Sequence, residues 1–172
     1  MSGPARRLFI GLLPDDAVRD AIANHQRRWY WNAGSLPTSP ERLHLTLHFL
    51  GEIDATREHA LRSALAGEDV APFELVLRTP ECWAGGIAVL RPDENTALDD
   101  LHARLTARLS HVGIAPMRGS FVPHVTLARG ASSAAPPEAM RPVIWTVTDF
   151  AVVWSRPGPP ASYEVLDRYG AT

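Results

Sequence analysis

The chain reads as an α+β fold, with two antiparallel sheets facing each other across a central cleft and helices outside. Three observations predict it. Stretches that alternate polar with apolar residues, the mark of strands with one buried face, recur along the 172 residues. Between them lie segments whose apolar residues repeat at helical spacing. One short pattern also occurs twice, as His44-Leu45-Thr46-Leu47 and His124-Val125-Thr126-Leu127, each time after a strand and a helix. The two halves therefore look alike, and we expect residues 1–172 to form one domain of two pseudo-symmetric lobes.

Residues 7–13 read as a buried strand ended by Pro14. Pro14-Asp15-Asp16 then starts a helix, with proline in the first turn and acids at the positive end of the dipole. Val18, Ile22, His25 and Trp29 follow on one face. Residues 32–42 form a loop rich in Pro, Ser and Gly, and the first His-Thr strand covers 43–50, stopping at Gly51. Asp54 caps a second helix that runs to Ala66, with Gly67 past its end.

Phe73, Leu75 and Leu77 alternate with Glu74, Val76 and Arg78 in a further strand, and residues 79–86 read as a turn before a strand over 86–90. Leu98, Leu101, Leu105, Leu109 and Val112 stripe a helix over 96–112, capped by Thr96 and closed by Gly113. The second His-Thr strand spans 121–128, residues 131–142 read as a mobile loop, and two closing strands cover 146–155 and 162–167.

Composition narrows the function. An apolar fraction of 45% and a charged fraction of 21% are ordinary for a soluble domain. A net charge of −2 argues against duplex DNA as a partner. All 17 basic residues are arginine, which excludes Schiff-base lysines, lysyl-nucleotide intermediates and a P-loop lysine while keeping two-pronged phosphate recognition. The single Cys82 forms no internal disulfide, as suits a reducing compartment. The opening apolar stretch is short for a signal peptide, and no run approaches a membrane span. A cytoplasmic monomer with no membrane partner is expected.

Residues two apart on a strand project from one side, so each motif presents an imidazole beside a hydroxyl while Leu45, Leu47, Val125 and Leu127 anchor the other face. Displacement at phosphorus is in-line: one group takes a proton from the attacking water while another protonates the departing oxygen on the far side. Imidazoles on two strands suit that geometry and titrate near neutrality, and hydroxyls can donate to the oxygens where charge gathers. No metal-ligand cluster is legible beside either motif, and neither metal nor cofactor is expected. A strained 2′,3′-cyclic phosphate is the natural target for such machinery.

These residues also resemble a family. Arg42-Leu43-His44-Leu45-Thr46-Leu47-His48-Phe49-Leu50-Gly51-Glu52 and Phe121-Val122-Pro123-His124-Val125-Thr126-Leu127-Ala128-Arg129 are similar to the paired HxTx signatures of the 2H phosphoesterases, in particular the bacterial RNA 2′,3′-cyclic phosphodiesterases, or 2′-5′ RNA ligase family. The opening Arg7-Leu8-Phe9-Ile10-Gly11-Leu12-Leu13-Pro14 and the late Ser155 and Tyr163-Glu164-Val165-Leu166 extend the likeness over nearly the whole chain. The resemblance implies the two-lobed 2H fold and hydrolysis of a terminal 2′,3′-cyclic phosphate on RNA to a 2′-phosphomonoester, with the reverse 2′-5′ joining open. It makes His44 the proton donor to the leaving 3′-oxygen and His124 the acceptor that activates water, with Thr46 and Thr126 beside them.

It also implies Arg129 as a phosphate contact, although a regular strand puts Arg129 on the face opposite His124, so a bulge or the strand's end is required. His48 shares a regular face with His44, stands where relatives often carry a permanent charge, and is a candidate to line the cleft and bind substrate, with simple exposure as the alternative. Phe9, Trp83 and Tyr163 are candidates to stack on a base, with burial in the core as the alternative. His25, His59, His102 and His111 read as surface or packing residues of helices. Two other readings stay open: a non-catalytic nucleotide- or RNA-binding module of the same fold, and a phosphodiesterase for small cyclic nucleotides or cyclic sugar phosphates.

Overall fold

Alternation and helical spacing resolve into nine strands and three helices among the described residues, 3–116 and 118–170 of the computed structural model. In chain order these are β1 (Arg6–Leu12), α1 (Asp16–Arg27), β2 (Leu36–Pro37), a 3-10 turn (Pro40–Arg42), β3 (Leu45–Ile53), α2 (Ala55–Leu65) and β4 (Phe73–Trp83). There follow β5 (Ile87–Pro92), α3 (Thr96–His111), β6 (Val125–Arg129), β7 (Val143–Val147), β8 (Asp149–Arg156) and β9 (Ser162–Gly170).

The helices begin where short polar side chains can take their orphan N–H groups. Asp15 accepts from the Val18 amide and Asp54 from the Arg57 amide, each at 2.9 Å. On α3 the cap is Asn95, which accepts from Leu98 at 3.0 Å, and Thr96 is the first helical residue instead of the cap. Gly113 ends that helix at φ 73°, a conformation that β-carbon-bearing residues avoid.

Every pairing in the sheet is antiparallel, in the order β7-β4-β5-β6-β3-β1-β8-β9, with β2 added beside β6. The two facing sheets expected from sequence are thus halves of one curled sheet. They join where β3 meets β6 through a single register pair, Leu45 with Val125. Those are the residues between His and Thr in each motif. An antiparallel register through them sets His44 across from Thr126 and His124 across from Thr46.

One apolar cluster draws on both halves of the sheet and all three helices. Leu8, Ile10 and Leu12 of β1 meet Leu45, Leu47, Leu90, Val125 and Leu127, against Ile22, Leu61 and Leu105 from the helices. Alternation sends Phe9 to the opposite face of β1. There it packs with Ala151 and Val153 in a second, small cluster that Leu13 and Tyr163 border. The larger core holds the sheet, and the smaller one backs the site.

Several segments differ from the sequence reading. β3 runs through Gly51 to Ile53 instead of stopping at the glycine, and β6 covers only Val125–Arg129, leaving 121–124 outside any strand. Residues 79–83 extend β4, pairing with β5 from Thr79–Arg91 to Trp83–Ile87, and the turn shrinks to residues 84–86, with Gly85 and Gly86 at positive φ. Pro80 obscures that strand, yet it is tolerated because β7 accompanies β4 only from Phe73 to Leu77, leaving one side of Pro80 without a strand neighbour. The single closing strand over 146–155 is two strands, since the chain leaves β7 beside β4 and crosses to β8 beside β1. The loop over 131–142 is tied down by paired backbone bonds between Tyr30 and Ala135, at 2.8 and 3.0 Å. No helix among the described residues is long and apolar enough to cross a membrane.

Candidate active site

Each histidine sits one residue before its strand, and the same local bond fixes both rings. His44 Nδ1 donates to the Arg42 carbonyl and His124 Nδ1 to the Val122 carbonyl, each two residues back and each at 2.8 Å. A neutral ring with Nδ1 as donor keeps its lone pair on Nε2. At His44 that nitrogen lies 2.9 Å from Thr46 Oγ1, whose hydroxyl donates to it. An oxygen bound to the Thr46 hydroxyl is therefore within reach of the same imidazole.

The second regularity is a matched pair of β-bulges. Between β1 and β3, Gly11 pairs with Thr46 and Ile10 with His48, so Leu47 is the extra residue. Between β5 and β6, Val89 pairs with Thr126 and Ala88 with Ala128, so Leu127 is the extra residue. A bulge reverses the alternation beyond it. Arg129 thereby returns to the face of His124 and Thr126, which meets the condition that a regular strand would have denied it. The equivalent residue after the other motif is Phe49, 41% exposed on the face of His44 and Thr46. The carbonyl freed at Leu127 accepts from the Thr38 amide at 2.9 Å and from the buried Gln26 side chain at 2.7 Å, which pins the loop before the first motif to the second.

Phe9, Arg42, His44, Thr46, Phe49, His124, Thr126, Arg129 and Tyr163 line one cavity of about 180 Å³, together with Thr38 and Ser155. It opens beside a second, of about 540 Å³, that shares Thr46, Phe49, His124 and Arg129 and is walled by Phe121, Val122, His102 and Arg118. A larger cavity of about 790 Å³ lies between Arg6, Ala55, His59 and Trp154 and contains none of the motif residues. Chemistry, not size, picks out the smaller one, because it alone of these collects both imidazoles and both threonines.

The same cavity is lined by two arginines, Arg42 and Arg129, and by no acidic residue among the described ones. Burial pushes the His44 imidazole below the usual histidine value. The bond to the Arg42 carbonyl works against that, and the positive charges of His124 and Arg42 add to it. His124 is lowered too, by burial first and then by Arg129 and Arg91, against the bond to the Val122 carbonyl. Both rings are therefore set to be neutral near pH 7 until an anion enters.

Aromatic residues hold the two imidazoles differently. Phe9 stacks on His44 with ring centres 4.6 Å apart, and Tyr163 meets His44 edge-on at 5.2 Å. Trp83 meets His124 at 4.5 Å, and its indole N–H donates to Glu81, which pairs with Arg91. At 2% exposure, with one face on His44, Phe9 is a wall of the imidazole and offers no free face for a base. Tyr163 remains partly open at the cavity.

His48 departs most from expectation. The bulge at Leu47 turns it away from His44 toward α3, where it is 5% exposed. Its Nε2 lies 3.2 Å from the His102 carbonyl and 3.1 Å from the Thr106 hydroxyl. The ring stacks on His102, which stacks in turn on Phe121. His48 thus lines the larger neighbouring cavity and not the one between the imidazoles. Of the other histidines, His25 is a core residue that accepts from the Trp29 indole at 2.9 Å, while His59 and His111 are exposed.

Arg42, Thr38, Ser155 and Phe49 also line the cavity, although the sequence reading gives none of them a site role. Arg42 carries the one signal that could have found it, since it precedes His44 by two and so falls on the same side of an extended chain.

Comparison with known proteins agrees with the geometry. An RNA 2′,3′-cyclic phosphodiesterase of Escherichia coli (strain K12) is 33% identical over 139 residues, covering 78% of this chain and 77% of that protein. A protein of the same name from Thermus thermophilus is 30% identical over 187 residues, covering 95% and 89%. The crystal structure of E. coli LigT complexed with 3′-AMP matches with a TM-score of 0.87 at 26% identity, over 96% of this chain and 97% of that one. The family model for the 2′-5′ RNA ligase superfamily matches residues 14–161, which takes in both His-Thr motifs and every strand but the first and last in chain order, and the chain belongs to that superfamily.

Proposed function

We propose that this protein hydrolyses the terminal 2′,3′-cyclic phosphate of RNA to a 2′-phosphomonoester, with residues 1–172 acting as one two-lobed domain. The observation that carries the reading is the shared cavity, where two imidazoles and two threonine hydroxyls line one phosphate-sized space from strands of opposite halves. The curated relatives of that name support it. Water attacks phosphorus opposite the ribose 3′-oxygen. His124 accepts a proton from that water as the new P–O bond forms, the bond to the 3′-oxygen breaks, and His44 gives its proton to that oxygen. Thr46 and Thr126 donate to the non-bridging oxygens as charge develops there, and Arg129 holds the phosphate from the rim.

The arrival of an anion answers the problem that both empty-site imidazoles are neutral. A phosphate charge beside His44 favours its protonated form and makes it an acid. The larger cavity, walled by Phe49 and Phe121, has room for the attached nucleoside. Its aromatic walls favour nucleotides over cyclic sugar phosphates.

The test offers RNA ending in a 2′,3′-cyclic phosphate and small 2′,3′-cyclic nucleotides side by side and identifies the product. Ring opening that leaves phosphate on the 2′-oxygen is the expected result. Binding without turnover of either substrate would select the non-catalytic alternative, and phosphate left on the 3′-oxygen would overturn the assigned leaving group.

A further inference from the structure

Arg42 stands out in the cavity as a cation with a buried Nε donor that no described residue accepts. Its guanidinium carbon lies 5.1 Å from the centre of the Tyr163 ring, its Nε is buried with no hydrogen-bond partner among the described residues, and the residue lines the cavity that holds both imidazoles. Arg91, the other arginine with a buried unpartnered Nε, is already engaged by Glu81 at 3.0 Å. The cavity that holds Arg42 offers no carboxylate among the described residues. A buried N–H left without an acceptor is unfavourable, and beside an open anion-sized cavity an entering oxygen relieves it.

The charge count says which acceptor. A cyclic phosphodiester carries one negative charge, which Arg129 alone can match. Attack of water drives the group toward two, and the ring-opened monoester carries between about −1.5 and −2 near pH 7. A second guanidinium on the His44 side is therefore matched to the group that forms, more than to the group that enters.

We propose that Arg42 is a second phosphate-gripping residue, donating from its guanidinium to the phosphoryl oxygens as the ring opens and holding the dianionic product more tightly than the cyclic substrate. The inference rests on the function proposed above and adds to it a residue and a preference for dianions. The Tyr163 ring lies against the guanidinium and limits its freedom, which favours the two-pronged contacts that arginine makes to phosphate. The Arg42 backbone carbonyl independently orients His44, and a side-chain substitution leaves that bond in place.

The experiment compares wild type with Arg42→Met and Arg42→Lys. Steady-state kinetics are measured on a 2′,3′-cyclic nucleotide, inorganic phosphate is titrated by calorimetry, and thermal melting checks the fold. R42M should lose about 10²-fold in kcat, as removal of one donor to a developing charge does, with KM changed less than threefold. Its affinity for phosphate at pH 8 should fall at least tenfold, and R42K should lie between. Because the Arg42 charge disfavours a protonated His44, R42M should also move the alkaline limb of kcat/KM to higher pH, which a merely structural residue would not do. R42M with kcat and phosphate affinity both within threefold of wild type overturns the proposal, as does a loss confined to KM. The phosphate titration needs no turnover, so a wild-type protein that binds phosphate through Arg42 yet opens no cyclic ring would reject the proposed function and not this contact.

Discussion

Replacing Phe9 by alanine probes the wall that supports His44. The ring is 2% exposed, stacks on the imidazole at 4.6 Å, meets Tyr163 edge-on at 5.1 Å and packs on Ala151 and Val153. Truncating a buried phenylalanine costs about 3–5 kcal/mol. This one belongs to the small cluster beside an open cleft, where water can enter the space left behind, so the low end, about 3 kcal/mol, is expected. At about 2–4 °C per kcal/mol for a chain of this size, melting should fall by roughly 6–12 °C. His44 keeps its bonds to the Arg42 carbonyl and Thr46, so kcat should drop only about tenfold, against the 10²–10⁴-fold characteristic of losing a general acid. Burial is the main cause of the low His44 value, so exposing the ring should raise its proton affinity and shift the alkaline limb of kcat/KM upward. Calorimetry and a pH series on the purified variant measure all three. An unchanged melting temperature, or a limb that moves down, would refute the view that Phe9 is a buried support for His44.

The remaining predictions concern pH, chelation and the bulge. Both imidazoles are held below the ordinary histidine value in the free protein, and the proposed mechanism requires His44 protonated with His124 neutral. The optimum of kcat/KM should therefore lie on the acid side of pH 6.5, falling up to tenfold per unit above it, and a flat response from pH 6 to 8 would contradict this. Stability follows the opposite sign. The folded state favours neutral His44 and His124, so their contribution is complete above the unfolded value near 6.5 and is lost as pH falls through the folded values. Melting temperature should decrease between pH 7 and 5, and added phosphate should reduce that loss. Turnover should survive EDTA, which an assay with and without chelator checks directly. Arg129→Gln should raise KM for the cyclic substrate about tenfold, because the Leu127 bulge puts that side chain at the cavity rim; an unchanged KM would mean that the side chain does not reach the phosphate.

Much of this site was legible because its signals are local. The repeat of His, apolar residue, Thr and Leu marks both halves, and Asp15, Asp54 and Gly113 mark helix ends through caps that depend only on neighbours in sequence. What the chain concealed depends on partners. Leu47 and Leu127 look like ordinary inward residues of alternating strands, and only the registers with β1 and β5 make them bulges. That is why His48 seemed to belong with His44 and why Arg129 seemed to need special geometry. Residues 79–83 escaped because Pro80 and Glu81 break the pattern of a strand that one-sided pairing nevertheless permits. The break at Thr148 joins two strands that are individually regular but lie in different halves of the sheet. Arg42 carries no periodic signal strong enough to separate it from a solvated arginine, and its meaning comes from Tyr163, more than a hundred residues away.

The central claim is that His44 and His124 serve opposite sides of one phosphorus, one as acid and one as base. The most direct measurement uses a 2′,3′-cyclic substrate whose 3′-oxygen is replaced by sulfur, a leaving atom that departs without a proton. On the oxygen substrate, His44→Ala and His124→Ala should each lose about 10²–10⁴-fold in rate. On the sulfur substrate, the His44 variant should recover to near the wild-type rate while the His124 variant stays slow. Recovery of the His124 variant instead would reverse the assignment, and equal defects of both variants on both substrates would contradict the division of labour altogether.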